Sequence, residues 1–145
     1  MSPTRRLILA APALLLLPRG ASASQAEMEA AVRGFTGGGR VQPGRVVMDI
    51  SPLVENGNTV PLSVIVDSPM TEADHVRAIA VFNERNPQPH VITVQLGPRA
   101  GRAILSTHIR LATSQTILAV AAMSDGSFWS DSAGVVVTLA ACVEG

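Results

Sequence analysis

Residues 103–111 read AILSTHIRL, and two sets of alternate residues differ in character along most of this stretch. One set of alternate residues is mainly apolar and comprises Ala103, Leu105, Thr107, Ile109 and Leu111. The other set is polar where it carries Ser106, His108 and Arg110. A period of two is typical of a β-strand that buries one face and exposes the other. The segment therefore predicts a strand on the surface of a sheet, with His108 in solvent.

The same period recurs along most of the chain. In residues 75–83 the alternation places Val76, Ala78, Ala80 and Phe82 on one face. Residues 116–123 are apolar on both faces, which predicts a central strand. Further strands are predicted over residues 46–50, 62–66, 92–96 and 134–139.

Turn residues separate these segments. Residues 55–58 (ENGN) predict a loop, and Asp125-Gly126 predicts a tight hairpin. Seven or eight short strands with no helical spacing between them predict an immunoglobulin-like antiparallel β-sandwich, a mainly β fold. Before the strands, residues 25–35 have apolar positions at helical spacing and predict a short N-terminal helix that ends at Gly37-Gly38-Gly39.

The first 23 residues differ from the rest. Adjacent Arg5 and Arg6 precede an apolar run over residues 7–17, and Ala21-Ser22-Ala23 fits a signal-peptidase site. We interpret residues 1–23 as a secretory signal, with a paired-arginine start that indicates the twin-arginine route to the periplasm. The domain organisation predicted is a signal at 1–23, a sandwich with its helix at 24–139, and a C-terminal arm at 140–145.

The charge balance argues against two classes of partner. Arg5, Arg6 and Arg19 are lost with the signal, which leaves eight basic and eleven acidic residues and a formal charge of −3. A mildly acidic chain has no electrostatic reason to bind nucleic acid or an anionic membrane. We therefore expect neither as a partner of the mature protein.

Cys142 is the single cysteine, and it lies three residues from the end of the chain. No internal disulfide can form, although the predicted compartment is oxidising. A lone thiol in an exported protein indicates intermolecular bonding or a reactive free sulfur. If residues 134–139 form the last strand, Cys142 projects beyond the sandwich on a short arm.

Other chemistry finds little support in the sequence. The serine- and aspartate-rich residues 124–134 (SDGSFWSDSAG) contain no nucleophile elbow and are typical of turns, as are Glu72 and Asp74. No metal, cofactor or catalytic constellation is predicted, so the protein is not expected to be an enzyme. A copper site built on Cys142 remains an alternative. Its further ligands would come from His75, His90, His108, Met48, Met70 and Met123.

Three long blocks resemble one protein family. Residues 55–76 (ENGNTVPLSVIVDSPMTEADHV), 106–129 (STHIRLATSQTILAVAAMSDGSFW) and 135–145 (VVVTLAACVEG) are similar to SoxY, the sulfur carrier of periplasmic thiosulfate oxidation. The resemblance implies an immunoglobulin-like sandwich that pairs with SoxZ and carries intermediates on its C-terminal cysteine. It also implies three enzyme partners: a haem-containing loading enzyme, a sulfate-releasing hydrolase and a sulfur dehydrogenase.

The C-terminal arm departs from the family pattern. The family ends in Gly-Gly-Cys-Gly-Gly, whereas this chain has Ala140-Ala141-Cys142-Val143-Glu144-Gly145. We expect bulky Val143 to hinder entry into a narrow site and Glu144 to disfavour the reactive thiolate. Two hypotheses follow: a working covalent carrier with an altered arm, which we favour, or a SoxY-like paralogue that binds partners without carrying sulfur.

Overall fold

The computed structural model describes residues 24–139, which form two β-sheets packed face to face and one α-helix on the outer side of the larger sheet. The predicted signal (1–23) and the predicted arm (140–145), with Cys142, lie outside the described residues. Within residues 24–139, no helix has the length and apolar character needed to cross a membrane.

Helix α1 spans Gln25–Thr36 and agrees with the predicted helix. It begins where the Ser24 hydroxyl accepts a hydrogen bond from the Glu27 amide at 3.2 Å. It ends at Gly37, whose φ of 66° is the left-handed conformation that glycine adopts without strain. The first two of the three glycines both have positive φ, so the run ends the helix as predicted.

Nine strands follow the helix within the described residues. A short 3-10 helix, Pro98–Ala100, precedes the seventh strand. The strands are β1 Val41–Pro43, β2 Val46–Asp49, β3 Leu53–Val54, β4 Val60–Val66, β5 Val76–Asn83, β6 His90–Gln95, β7 Ala103–Ile109, β8 Gln115–Met123 and β9 Phe128–Val137.

The larger sheet has the order β1-β9-β8-β5-β6, with β3 added beside β9, and the smaller sheet has the order β2-β4-β7. The sandwich prediction is confirmed, and β8 is central as predicted. Two short pairings are parallel rather than antiparallel: β1 pairs with the start of β9, and β3 pairs with its end. The reason is that β1 and β3 run beside β9 in the same direction as β9, while β2, which lies between them in sequence, belongs to the smaller sheet. From β2, the Met48 amide donates to the Asp131 carboxylate of β9 at 2.8 Å.

Strand β5 does not present the single face that its alternation predicts. Ala78, Ala80 and Phe82 pack on the helix side, but Val76 packs with Ile79 between the sheets. The pairing with β8 shifts by one residue between Val76 and Ala78, which is a β-bulge. An extra residue in one strand reverses the sheet face to which each following side chain of that strand points. The predicted face was therefore wrong for Val76.

Strand β9 begins earlier than predicted. Residues 124–127 form the predicted turn, with Gly126 at a φ of 87°, but residues 128–134 belong to the strand and not to a turn. The prediction of a last strand over 134–139 was wrong at both ends: β9 starts at Phe128, because it pairs with β8 from Phe128 to Val135, and it ends at Val137. Serine and aspartate are tolerated there because Asp131 accepts the hydrogen bond from β2.

Two hydrophobic layers hold these elements together. The main core lies between the sheets and contains buried side chains from both, such as Val64, Leu105, Ile79 and Ile117. A second core lies between the larger sheet and α1 and comprises Met28, Ala80, Phe82, Val120, Ala122 and Phe128. Helix α1 therefore covers the outer face of the larger sheet.

Candidate functional site

The last described residues place the root of the C-terminal arm. Strand β9 ends at Val137, and Thr138 and Leu139 follow it to the edge of the described chain. The structure does not test the roles predicted for Cys142 and its neighbours Ala140, Ala141, Val143, Glu144 and Gly145, which lie outside the described residues. The structure does show how Leu139, the last described residue before the predicted arm, is held.

Backbone hydrogen bonds to residues 52–57 hold the root in place. The Val136 amide donates to the Pro52 carbonyl at 2.9 Å, and the Thr138 amide donates to the Val54 carbonyl at 3.0 Å. The Leu139 carbonyl then accepts from the Gly57 amide at 2.9 Å. The residues that precede the arm are thus tied to the segment 52–57, and Leu139 is tied to the loop that the sequence predicts at 55–58.

A second loop supports the first. The Leu111 amide donates to the Gly57 carbonyl at 2.8 Å, and the Val137 amide donates to the Ser114 hydroxyl at 2.8 Å. The arm therefore departs from the end of the sandwich at which the 55–58 and 111–114 loops meet. The exposed His108 and Arg110 approach this end along β7, as the alternation predicts.

Sequence reasoning missed a polar network that fixes the neighbouring loop. The Asn86 side-chain oxygen accepts from the Gln115 amide group at 2.7 Å and from the Ala112 amide at 2.9 Å. The Gln115 oxygen accepts from the Arg85 amide at 3.0 Å, while the Glu84 carboxylate accepts from the Thr116 amide at 2.9 Å. No buried side-chain polar atom of residues 24–139 lacks a partner. A satisfied network of this kind rigidifies a loop rather than performing chemistry.

The candidate copper ligands lie in ordinary structural environments. Met48, Met70 and Met123 are buried in the main core. A ring nitrogen of His75 lies 3.0 Å from the Thr71 carbonyl oxygen, and a ring nitrogen of His90 lies 2.6 Å from the Thr93 hydroxyl. Across the part of the chain that the structure describes, no three His, Cys, Asp or Glu side chains form a possible metal site.

Two acidic residues of the predicted turns, Asp74 and Asp125, have structural partners. The Asp74 amide donates to the Thr71 hydroxyl at 3.1 Å, and the Asp74 carboxylate lies 3.9 Å from Arg45. In the β8–β9 turn, Asp125 accepts from the Ser127 hydroxyl at 2.6 Å and from the Ser127 amide at 2.9 Å. These hydrogen bonds hold the pKa of the Asp125 carboxyl below its ordinary value, since they favour the charged form.

A second surface feature lies on the smaller sheet. Val47, Ile65 and Ile104 are exposed and directly opposite one another across β2, β4 and β7. We call these three residues the apolar row. A surface depression of about 330 Å³ adjoins the row, and Arg45, Asp67 and Arg102 contribute to its lining. Unlike the outer face of the larger sheet, this face is covered by no helix of residues 24–139.

Comparisons with solved structures show the fold. The structure of the sulfur carrier protein SoxY from Chlorobium limicola f thiosulfatophilum matches with a TM-score of 0.68 and 22% identity over 80% of this chain and 100% of that one. A superoxide reductase (neelaredoxin) from Ignicoccus hospitalis matches with a TM-score of 0.58 and 13% identity, covering 81% of this chain and 95% of that one. The superoxide reductase from Nanoarchaeum equitans has a TM-score of 0.54 and 9% identity, with 66% and 100% covered. At these identities the likeness concerns the fold alone.

The family comparison identifies more than the fold. No curated protein sequence matches the chain. The family model for the sulfur oxidation protein SoxY matches residues 32–142, which is most of the sequence and includes Cys142. The match agrees with the resemblance carried by the three sequence blocks, and we conclude that this chain belongs to the SoxY family of sulfur oxidation proteins.

Proposed function

We propose that this protein is a sulfur carrier of thiosulfate oxidation that holds pathway intermediates covalently on Cys142. The observation that carries the proposal is the family match, which extends to residue 142 and so includes the single thiol of the chain. The similar structure from Chlorobium limicola is that of a sulfur carrier protein. Leu139, the last described residue before Cys142, is also held by a backbone hydrogen bond at an end of the sandwich.

The proposed loading step is an oxidation of the thiol. An S–S bond forms between the Cys142 sulfur and the terminal sulfur of thiosulfate, the thiol loses its proton, and two electrons pass to a haem-containing loading enzyme. A hydrolase then breaks the bond between the sulfane and sulfonate sulfurs. Water supplies the oxygen of the released sulfate and the proton of the persulfide that remains. The carrier itself contributes no turnover, and the sulfur dehydrogenase oxidises the remaining sulfur.

The arm residues set the selectivity of this chemistry. Val143 and Glu144 stand where the family has glycines, so only partner sites that tolerate a branched side chain and a carboxylate accept the arm. The Glu144 carboxylate disfavours the thiolate and repels the thiosulfate anion. Salt screens this effect at exposed positions, so we expect slower loading rather than none.

We further propose that the carrier pairs with a SoxZ-like second subunit. The apolar row supports such a pairing, because contiguous exposed apolar side chains on a sheet face are typical of protein interfaces. The corresponding face of the larger sheet is covered by α1 within the same chain. The row therefore offers the second subunit an uncovered sheet face.

The proposed location is the periplasm. Residues 1–23 have the charged start, apolar run and cleavage motif of an export signal, and the paired arginines favour export after folding. A folded pair can cross in this way, with one signal serving both subunits. A single cysteine is also compatible with an oxidising compartment, since no partner within the chain can trap it as a disulfide.

The first experiment is an intact-mass measurement. We would purify the mature protein with its partners from cells grown on thiosulfate and record its mass before and after reduction. We expect a reducible sulfur-containing adduct on the wild-type protein and none on Cys142→Ser, which should keep its fold and its second subunit. A wild-type thiol that remains bare after exposure to the loading enzyme would contradict the carrier and leave the partner-binding paralogue.

A further inference from the structure

Exposed large apolar side chains fall into two groups on the described surface. Val47, Ile65 and Ile104 form the apolar row on the smaller sheet. The other three are Leu53, Val136 and Leu139, with exposed fractions of 57%, 54% and 63%. These three all lie where the chain leaves the sandwich, and we call them the arm-root patch. Grouped exposed apolar residues mark interaction sites more often than scattered ones do.

The arm-root patch has a fixed position relative to the arm. Leu53 and Val136 are register partners in the parallel pairing of β3 with β9. The backbone bonds of Val136 to Pro52 at 2.9 Å and of Leu139 to Gly57 at 2.9 Å tie the same two segments together. A protein that binds near Leu139 therefore meets the patch in one orientation.

Covalent geometry limits how far Cys142 can extend from this end. Cys142 lies three positions after Leu139, so the two Cα atoms lie at most about 11 Å apart even with the chain fully extended. A site that bonds to the Cys142 sulfur from within a pocket can do so only if the surface around its entrance lies against the end of the sandwich. The short arm thus brings the enzyme into contact with whatever surrounds Leu139.

We propose that the arm-root patch is the docking surface for the enzyme that loads sulfur onto Cys142, and that it contacts an apolar rim around that enzyme's entrance. The inference rests on the proposed carrier function and adds the surface at which the loading enzyme binds. Because the apolar row lies on the other sheet, the second subunit and the loading enzyme occupy different surfaces of the carrier.

The test compares two surfaces with matched variants of the full-length protein. One variant is Leu53→Ser/Val136→Ser in the arm-root patch. The other is Gln95→Ser, at an exposed position of β6, which lies at the edge of the larger sheet away from β9 and in neither apolar group. Each is assembled with excess second subunit, so that pairing does not limit the rate. Loading of thiosulfate by the haem-containing enzyme is followed by intact mass, and alkylation of Cys142 by iodoacetamide reports the intrinsic reactivity of the thiol.

We expect the double variant to load with a kcat/KM lowered by about tenfold, as for the loss of a central contact of an interface. Its iodoacetamide rate and thermal midpoint should match those of the wild type, and Gln95→Ser should load normally. Normal loading by the double variant would overturn the inference, as would an equal loss in Gln95→Ser. A wild-type protein that never loads would instead overturn the carrier function, and the inference with it.

Discussion

The two ends of strand β9 have opposite surroundings. At its start, Phe128 is 9% exposed and lies beneath α1, with its ring centroid 6.2 Å from that of Phe35. At its end, Val136 is 54% exposed, although it has β3 as a partner. Ten residues of one strand thus pass from a buried core to an exposed surface beside the arm.

The start of β9 contributes to stability, whereas its end is accessible to other proteins. The start of β9 is paired with β1 and β8 and packed beneath the helix, so its side chains contribute to the free energy of folding. The end of β9 is also held by backbone hydrogen bonds, and the exposed Val136 side chain remains free to contact another protein. A carrier needs both, because an arm is presented reproducibly only from a fixed root.

The largest expected effect is on stability at the start of the strand. Phe128→Ala removes a buried ring from the core under α1 and should lower the free energy of unfolding by about 3–5 kcal/mol. Urea denaturation of the mature protein measures it. The control is Val136→Ala in the same strand, which should change that free energy by at most about 0.5 kcal/mol. Similar losses in both variants would contradict the proposed division of β9.

A smaller effect is expected from a glycine that packs against the same ring. A Cβ on Gly39 would lie 2.6 Å and 2.9 Å from two ring carbons of Phe128, closer than packed atoms approach. Gly39→Ala should therefore cost about 1–3 kcal/mol of unfolding free energy through overpacking.

Gly34 provides the matched control for this substitution. It lies in α1, and a Cβ added there would meet nothing within 4 Å. Gly34→Ala should raise the unfolding free energy by about 0.5–1 kcal/mol, because alanine loses less backbone entropy in a helix. The two urea midpoints should shift in opposite directions. A stabilised Gly39→Ala would show that the Phe128 ring is loosely packed.

The smallest effect concerns the turn that leads into the start of β9. Ser127→Ala removes the hydroxyl that donates to Asp125, so the pKa of that carboxyl should rise toward its ordinary value. A group whose pKa is lowered on folding stabilises the fold above its unfolded pKa, and this contribution is lost as the pH falls through the folded pKa. An NMR titration of the Asp125 carboxyl carbon measures the change. An unchanged pKa would mean that the Ser127 hydroxyl does not bind Asp125 in solution.

Most of the fold could be predicted from the local pattern. The alternation in residues 103–111 and 62–66 corresponds to β7 and β4, and the glycine run ends α1 as predicted. The bulge in β5 could not be predicted, since nothing in residues 75–83 shows where the partner strand β8 shifts register. The length of β9 was also missed, because its polar residues 130–132 have turn-like composition and are held in the strand by pairing with β8.

The candidate site, too, could be predicted only in part from the sequence. A lone cysteine, Cys142, within blocks similar to SoxY was sufficient to indicate a carrier, and the family match covers that residue. The arm-root patch was not visible in the sequence. Leu53 and Val136 look like ordinary strand residues, and only the parallel pairing of β3 with β9 brings them together.

The sequence by itself determined the class of fold, the helix boundaries, the family and the single thiol, because each depends on residue identity or on neighbours a few positions apart. Only the tertiary structure decided the course of β9, the covered and uncovered sheet faces, and the surroundings of the arm root. These depend on contacts between residues far apart in the chain, such as the hydrogen bond between Met48 and Asp131, which are 83 positions apart. No local pattern encodes such contacts, because they stabilise the protein only once both strands are packed against each other.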